Sequence, residues 1–296
     1  MMKRFLTYLF LMLLSFNLWA AELKVVATTS AMGMLARVVG GEQVTVKVLA
    51  PPDRDVHFLS AKPSMMKDLR RADILIAVGA ELELGWLPAA LQRAGNPQVQ
   101  PGQKGYFEAA AQVSLLDSAG VADRALGDVH PAGNPHVNLD PQRMGVIAQA
   151  LALRLSKLDA AHEQDYRQRA QIFVDQIAEH LPKWRQQTAD ITGVVLHHKD
   201  ADYLMQLLNV PVLGYIEPIA GVPPTASHLQ HLIKNLKDQK GVIIRSNFHP
   251  PQGAAFLHRQ LGWPSHALPL DPPLEADAEA YLALIDQWVA AIASNH

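Results

Sequence analysis

The amino-acid sequence predicts an α/β protein of two lobes, each a mostly parallel sheet with flanking helices, joined by one long rigid helix. Strand-like and helix-like segments alternate in both halves of the chain, a pattern typical of parallel sheets joined by helical crossovers. The run 73–78 is almost entirely apolar, as expected for a strand covered on both faces. Segment 160–181 carries one apolar stripe at helical spacing, and as a helix it would span about 33 Å.

The first twenty residues have the features of a secretory signal peptide. Lys3 and Arg4 precede an apolar block at 5–14, and the small residues Ala20 and Ala21 follow. The block is too short to span a bilayer, which takes about 20 apolar residues. With 296 residues, the rest is long enough for two domains. The predicted organisation is a signal peptide at 1–20, an N-terminal lobe at 21–155, a linking helix at 156–190 and a C-terminal lobe at 191–296.

Composition indicates an exported globular protein. Apolar residues make up 49% of the chain and cysteine is absent, so a lipid anchor on a new N-terminal cysteine is not expected. We predict a soluble, monomeric periplasmic protein whose stability comes from its core rather than from disulfides. The formal net charge is −2, and it becomes −4 without Lys3 and Arg4, because residues 1–20 carry no acid. This charge gives no indication of nucleic-acid binding.

The N-terminal half is predicted to form strands and helices in alternation. Its strands are expected at 23–27, 44–49 and 73–78, and its helices at 30–39, 63–71 and 82–94. Ser30 is the expected cap of the first helix, and Gly40 and Gly41 end it. Pro88 either kinks the third helix or starts it afresh. Segment 96–135 gives a weak signal and is left unassigned.

The C-terminal half repeats the alternation after two helices, one at 142–155 and the other the long helix at 160–181. Pro182 is expected to kink or end the long helix. Strands are predicted at 193–196, 210–216, 241–244 and 266–270, and helices at 201–208, 226–236, 253–261 and 274–293.

Segment 127–141 places a histidine on a stiff loop. Its prolines and glycines rule out a regular helix or a central strand across the first half. Asp140 and Pro141 then form an N-cap and a first helical residue. A histidine held just ahead of a helix is a plausible metal ligand, so His136 is a candidate; a solvated loop histidine is the alternative.

Three further donors follow predicted strands. In open parallel sheets, ligands bind at the carboxyl ends of the strands, where His57, His198 and Asp271 are expected. With His136 they supply two donors from each half, so one cleft between the lobes could gather all four. Three imidazoles and a carboxylate form a closed four-coordinate shell suited to Zn²⁺. Imidazole also suits copper, nickel and iron, so the ligands alone do not fix the metal.

The roles of four other polar residues stay open. His197 and His198 point to opposite faces if both lie on a strand, so one can face the cleft while the other packs or meets solvent. Glu217 could accept a hydrogen bond near the metal, act as a general base or lie at a hinge. His130 and His249, each next to a proline, are spare ligands or surface residues. No nucleophile motif or phosphate loop occurs in the sequence.

Short motifs along nearly the whole mature chain resemble the zinc/manganese solute-binding proteins of bacterial ABC importers. In order they are Val25-Val26-Ala27-Thr28-Thr29-Ser30, Asp55-Val56-His57, Lys62-Pro63-Ser64, Arg71-Ala72-Asp73, Gly85-Trp86-Leu87, Asn134-Pro135-His136, Leu139-Asp140-Pro141, His198-Lys199 and Leu270-Asp271-Pro272. The resemblance implies metal ligands at His57, His136, His198 and Asp271, between two α/β lobes joined by one rigid helix. Histidine at the third of these positions is similar to the zinc-binding members, whereas manganese-binding members tend to have a carboxylate there.

The sequence departs from the zinc-binding branch that it resembles at several positions. Relatives often have Glu near Ser246, an aromatic residue at the position of Asn138 and Tyr at the position of His197. The first departure leaves a carboxylate missing near the site. The His-rich acidic loop of some zinc-binding members is also absent, so this chain has no such loop to gather metal.

The resemblance implies a periplasmic binding protein, not an enzyme, that captures Zn²⁺ with high affinity. It would deliver the ion to the permease of an ABC importer, with Mn²⁺ or another divalent metal as the less favoured cargo and a periplasmic metallochaperone as a further candidate partner. Because imidazoles bind metal deprotonated, affinity should fall as pH drops through about 6.5.

Two other functions are carried as alternatives. One is a secreted zinc hydrolase with Glu217 as its base, although Asp271 would close the coordination position that a catalytic zinc keeps for water. The other is a metal-dependent adhesin or a storage protein.

Overall fold

The computed structural model describes residues 22–118, 130–219 and 221–295. The predicted signal peptide therefore lies outside the described residues, as do residues 127–129 of the histidine loop. Each half of the chain forms one four-stranded sheet, and every strand pair in both sheets is parallel. The first sheet has the order β2-β1-β3-β4, and its strands are β1 Leu23–Ala27, β2 Val44–Val48, β3 Ile74–Ala77 and β4 Tyr106–Glu108. The second has the order β6-β5-β7-β8, and its strands are β5 Val194–Leu196, β6 Val212–Tyr215, β7 Val242–Ser246 and β8 Ser265–Leu268.

Helices flank both sheets, as the alternation predicts. In chain order they are α1 Ser30–Gly40, α2 Pro63–Arg71, α3 Leu87–Ala94, α4 Pro141–Leu158, α5 Glu163–Gln187, α6 Asp202–Leu208, α7 Ala226–Leu236, α8 Gln252–Leu261 and α9 Ala278–Ile292. We call β1–β4 with α1–α4 and their loops the N-lobe, and β5–β8 with α6–α9 and their loops the C-lobe. No helix among the described residues is long and apolar enough to cross a bilayer.

The long helix α5 lies between the lobes and extends further than the sequence indicates. Its apolar stripe is buried along its whole length, from Tyr166 to Trp184. Pro182 does not end the helix, which continues for five further residues to Gln187. A proline removes one backbone hydrogen bond from a helix interior, and the burial of Leu181 and Trp184 on either side of it offsets that loss. The indole N–H of Trp184 also donates to Asp286 in α9, at 2.6 Å.

The main hydrophobic core runs through both lobes. Strand β3 is buried along its length, as its apolar sequence predicts, and the same cluster includes buried side chains of β5, β7 and α9. Helix α9 packs against both α1 and α5. A smaller cluster lies in the C-lobe, with Ile243 of β7 packed beneath α7 and α8. The lobes are therefore joined by shared packing as well as by α5.

The structure decides three local details of these elements. The cap of α1 is Thr29, whose hydroxyl accepts from the N–H of Met32, so Ser30 is the first helical residue instead of the cap. Helix α3 starts afresh at Leu87, with Pro88 in its first turn. Strand β4 falls in the segment that the sequence left unassigned, because its three residues are ordered by pairing with β3.

Candidate metal centre

The four predicted donors line a single cavity of about 850 Å³ between the lobes. His57 and His136 come from the N-lobe, and His198 and Asp271 come from the C-lobe. The strand order reverses between β1 and β3 in the first sheet and between β5 and β7 in the second. Ligands bind at such points in open parallel sheets. The fold thus brings the four positions to one cleft, as the sequence predicts.

A neighbouring carboxylate fixes the orientation of His57. The residue lies in a short 3₁₀ turn capped by Asp55, whose Oδ1 accepts from the backbone N–H of His57 at 3.0 Å and from its Nδ1–H at 2.7 Å. Although burial raises the pKa of Asp55, its hydrogen bonds and charge interaction with His57 outweigh this and lower the pKa overall. With the proton on Nδ1, the Nε2 lone pair is the one that can bind a metal, the arrangement usual for metal-binding histidines.

His136 lines the cavity, and hydrogen bonds hold its backbone in place. Its backbone N–H donates to Asn134 Oδ1 at 2.9 Å, and the Asn134 amide donates to the carbonyl of Lys199 in the C-lobe at 3.0 Å. The Asp140 cap that follows forms as predicted, accepting from the N–H of Arg143. Burial, with the charges of the nearby imidazoles, holds the pKa of His136 well below its usual value, so the ring is neutral.

The buried Nε2 of His136 has no hydrogen-bond partner among the described residues. Its nearest ion-pair contact is Asp200 Oδ1 at 3.7 Å, too far for a hydrogen bond. An unpaired polar nitrogen in a buried site is costly, and coordination of a cation would remove that cost. This feature of the site therefore fits a divalent metal.

Of the two adjacent histidines, His198 lines the cavity. Burial, together with the charge of His57, lowers the pKa of His198 to about 4, so it also is neutral near pH 7. The ring of His197 instead stacks on His249 at 4.1 Å, and its Nε2 lies 3.3 Å from Glu217 Oε1. Packing therefore decides which of the two histidines faces the cavity, a choice that the sequence left open.

Asp271 lies three residues beyond the end of β8, since the strand ends at Leu268 and not at Leu270 as predicted. Its carboxylate is partly buried and accepts from the N–H of Ala31 at 3.1 Å. Burial raises the pKa of Asp271 to about 6.

The closest groupings of donor atoms add two residues to the predicted four. One group is His57, His130 and His136; the other is His136, His198 and Asp200; in each, the ligand atoms lie within 4.8 Å of one another. Asp271 lines the same cavity but belongs to neither group. Sequence reasoning left the role of His130 open and missed Asp200, although a carboxylate two residues after a candidate ligand was a usable signal.

Asp200 supplies a carboxylate close to Ser246, where the sequence suggested that one is missing. The Ser246 hydroxyl lies 3.4 Å from Asp200 Oδ2, and His249 Nε2 lies 3.5 Å from the same oxygen. Because Nδ1 of His249 accepts from the N–H of Ser246, the proton of a neutral His249 is on Nε2, facing Asp200. Burial raises the pKa of Asp200 and lowers that of His249 to about 4.

Comparison with known proteins agrees with this architecture. Residues 25–295 match the family ZnuA, described as zinc-uptake complex component A, periplasmic. A structure described as ZnuA has a TM-score of 0.76 at 18% identity, covering 92% of this chain and 99% of that one. The solute-binding protein FpvC from Pseudomonas aeruginosa in complex with Mn²⁺ has a TM-score of 0.73 at 21% identity, covering 92% and 97%.

The curated relatives belong to transporters of the same kind. The metal ABC transporter substrate-binding lipoprotein ScbA from Streptococcus cristatus is 22% identical over 228 residues, which cover 75% of this chain and 70% of that protein. Solute-binding proteins of this kind work with a membrane permease and an ATPase, and they are not enzymes, which excludes the hydrolase alternative. This chain belongs to the ZnuA family and is a metal-binding solute-binding protein of an ABC importer.

Proposed function

We propose that this protein captures Zn²⁺ with high affinity in the periplasm, after removal of a signal peptide, and delivers it to the permease of an ABC importer. The ligands are His57, His136, His198 and Asp271. The observation that carries the proposal is the convergence of three imidazoles and a partly buried carboxylate from both lobes on one cavity. A periplasmic metallochaperone is a further candidate partner for loading the site.

The donor set supports zinc over manganese. Nitrogen-rich tetrahedral shells suit Zn²⁺, whereas Mn²⁺ favours oxygen ligands. Relatives are named for manganese as well as for metal in general, so the choice of cargo has to come from this chain's own ligands. His198 is the deciding position, because it supplies a third nitrogen.

The protein's residues prepare the site for capture. Asp55 holds His57 with its Nε2 lone pair directed at the ion, and Asn134 holds the backbone of His136. His136 and His198 are neutral before metal arrives, so these two ligands give up no proton on binding near pH 7. Because the ligands come from both lobes, separation of the lobes on docking to the permease divides the shell and lowers its affinity for the ion.

The test is metal competition on metal-free protein, comparing the wild type with His198→Glu. We expect one equivalent of Zn²⁺ to bind, and the preference for Zn²⁺ over Mn²⁺ to fall at least about tenfold in the variant because oxygen replaces nitrogen. His231→Gln, on the exposed side of α7, is the matched control. Absence of Zn²⁺ binding by the wild type refutes the proposal, and an unchanged preference in His198→Glu refutes the role of His198.

Zinc transport is tested in a bacterial strain that lacks the gene for this protein. Under chelator-imposed metal limitation, we expect the strain to lose uptake of radioactive zinc and to regain it with the wild type but not with His136→Ala. Normal zinc uptake in the strain would favour the adhesin or storage alternative.

A further inference from the structure

We propose that His130, together with His57 and His136, forms a capture position for the metal on the N-lobe alone, before the ion meets its C-lobe ligands. The inference rests on the proposed function and adds a step to it. His136 belongs to both groups of close donor atoms. With His57, it is therefore a ligand that the capture position shares with the final, interlobe site.

The distances among the three N-lobe imidazoles suit one ion. Nε2 of His57 and Nε2 of His130 are 3.1 Å apart. Two nitrogens bound to one tetrahedral Zn²⁺ at about 2.0–2.1 Å would lie roughly 3.3 Å from each other. The ring of His57 makes angles of 38° with that of His130 and 57° with that of His136, and His130 meets His136 at 85°. The rings thus approach from different directions instead of stacking.

The backbone holds His130 in this place. Residues 130–133 form a turn in which the N–H of Gly133 donates to the carbonyl of His130 at 3.0 Å, with Pro131 at the second position, where proline favours a turn. Gly133 has φ of +119°, and a Cβ there would lie 2.8 Å from the carbonyl oxygen of Leu116. The next residue, Asn134, donates from its N–H to that same oxygen at 2.8 Å. The turn is therefore fixed against the N-lobe.

The two groups of donor atoms differ in the lobes that supply their ligands. His57, His130 and His136 all lie in the N-lobe, so this group needs no ligand from the C-lobe. His198 and Asp200, the other members of the second group, follow β5 in the C-lobe. An ion bound first by the three N-lobe imidazoles can gain the C-lobe ligands as the lobes close. It keeps His57 and His136 throughout and gives up His130.

The test uses Co²⁺ as a spectroscopic probe and the full chain with its C-lobe ligands removed. In the background His198→Gln/Asp271→Asn, we expect one Co²⁺ to bind. Added His130→Gln should weaken that binding at least about tenfold, the smallest effect expected when even a residue that supports a metal ligand is lost. Added His180→Gln, on the long helix, is the matched control and should leave binding unchanged. Circular dichroism of each metal-free variant establishes that it is folded.

A second variant reports directly on residue 130. In the same background, His130→Cys should give the near-ultraviolet charge-transfer band of a thiolate bound to Co²⁺. Absence of that band, or equal Co²⁺ affinity with and without His130→Gln, overturns the capture position. If the wild type binds Zn²⁺ in either case, the proposed function stands and only this inference fails; if the wild type binds no Zn²⁺, the proposed function itself fails.

Discussion

The carboxylate of Asp271 accepts a hydrogen bond from the backbone N–H of Ala31, with Oδ1 3.1 Å from the nitrogen. Asp271 follows the last strand of the C-lobe, and Ala31 lies in the first turn of α1 in the N-lobe, so the bond crosses between the lobes. Two neighbouring bonds also cross there: the Ser30 hydroxyl donates to the carbonyl of Pro272, and the Asn138 amide donates to that of Leu270. Segment 270–272 is thereby held against the N-lobe.

The pH dependence of metal binding should follow Asp271 more than the buried histidines. The pKa of His198 is lowered to about 4 and that of Asp271 is raised to about 6, so between about pH 7 and pH 5 only Asp271 of these two takes up a proton. A cation must displace that proton, which lowers zinc affinity about tenfold by about pH 5. Competition titrations at several pH values measure this fall. The sequence predicts this fall from histidines that titrate near pH 6.5, but burial lowers the pKa values of His136 and His198 below that range.

The control for this assignment is Asp271→Asn. The variant should bind zinc more weakly at neutral pH but should lose the part of the pH dependence that comes from Asp271. An equal fall in affinity with pH in the variant and the wild type would show that another group is responsible.

His136→Ala should have a large effect on binding, because His136 belongs to both donor groups. We expect zinc affinity to fall by more than the roughly 10–100-fold that follows loss of a residue supporting a ligand. Titration calorimetry with a competing chelator measures the change, and His180→Ala on α5 is the control. Wild-type affinity in His136→Ala would remove His136 from the ligand set.

Asp55→Asn tests whether the orientation of His57 matters. The amide still fits the site but loses the charge that stabilises the Nδ1–H tautomer of His57, so zinc affinity should fall by roughly 10–100-fold. Asp53→Asn removes an exposed carboxylate from the same loop and is the matched control. Equal affinities of the two variants would mean that the Asp55 contact does not support the metal ligand.

Asn138→Ala should destabilise the protein, since it leaves the carbonyl of Leu270 without its amide partner at a buried position. Loss of one partner of a buried hydrogen bond costs about 1–3 kcal/mol. Urea denaturation of the metal-free protein measures the free energy of unfolding. Asn235→Ala, on the exposed face of α7, should change it by less than about 0.5 kcal/mol; a similar small change in Asn138→Ala would count against the bridging role of Asn138.

Much of the fold follows from local pattern. The apolar run at β3 and the stripe on α5 both bury as predicted, because periodicity and residue type are properties of the sequence itself. Local pattern does not predict an element whose structure depends on contacts with another segment of the chain. Strand β4 has only three residues and is ordered by pairing with β3, and α5 continues through Pro182 because buried residues flank the proline.

The site divides in the same way. The sequence by itself determined the kinds of donor and their places after strands and on a stiff loop, which is sufficient to bring His57, His136, His198 and Asp271 to one cavity in a parallel two-lobed fold. Only the tertiary structure decided that His198 and not His197 lines that cavity, that His130 and Asp200 join the closest donor groups, and which histidines are neutral. These outcomes depend on distances and burial between segments far apart in the chain, which local sequence pattern does not encode.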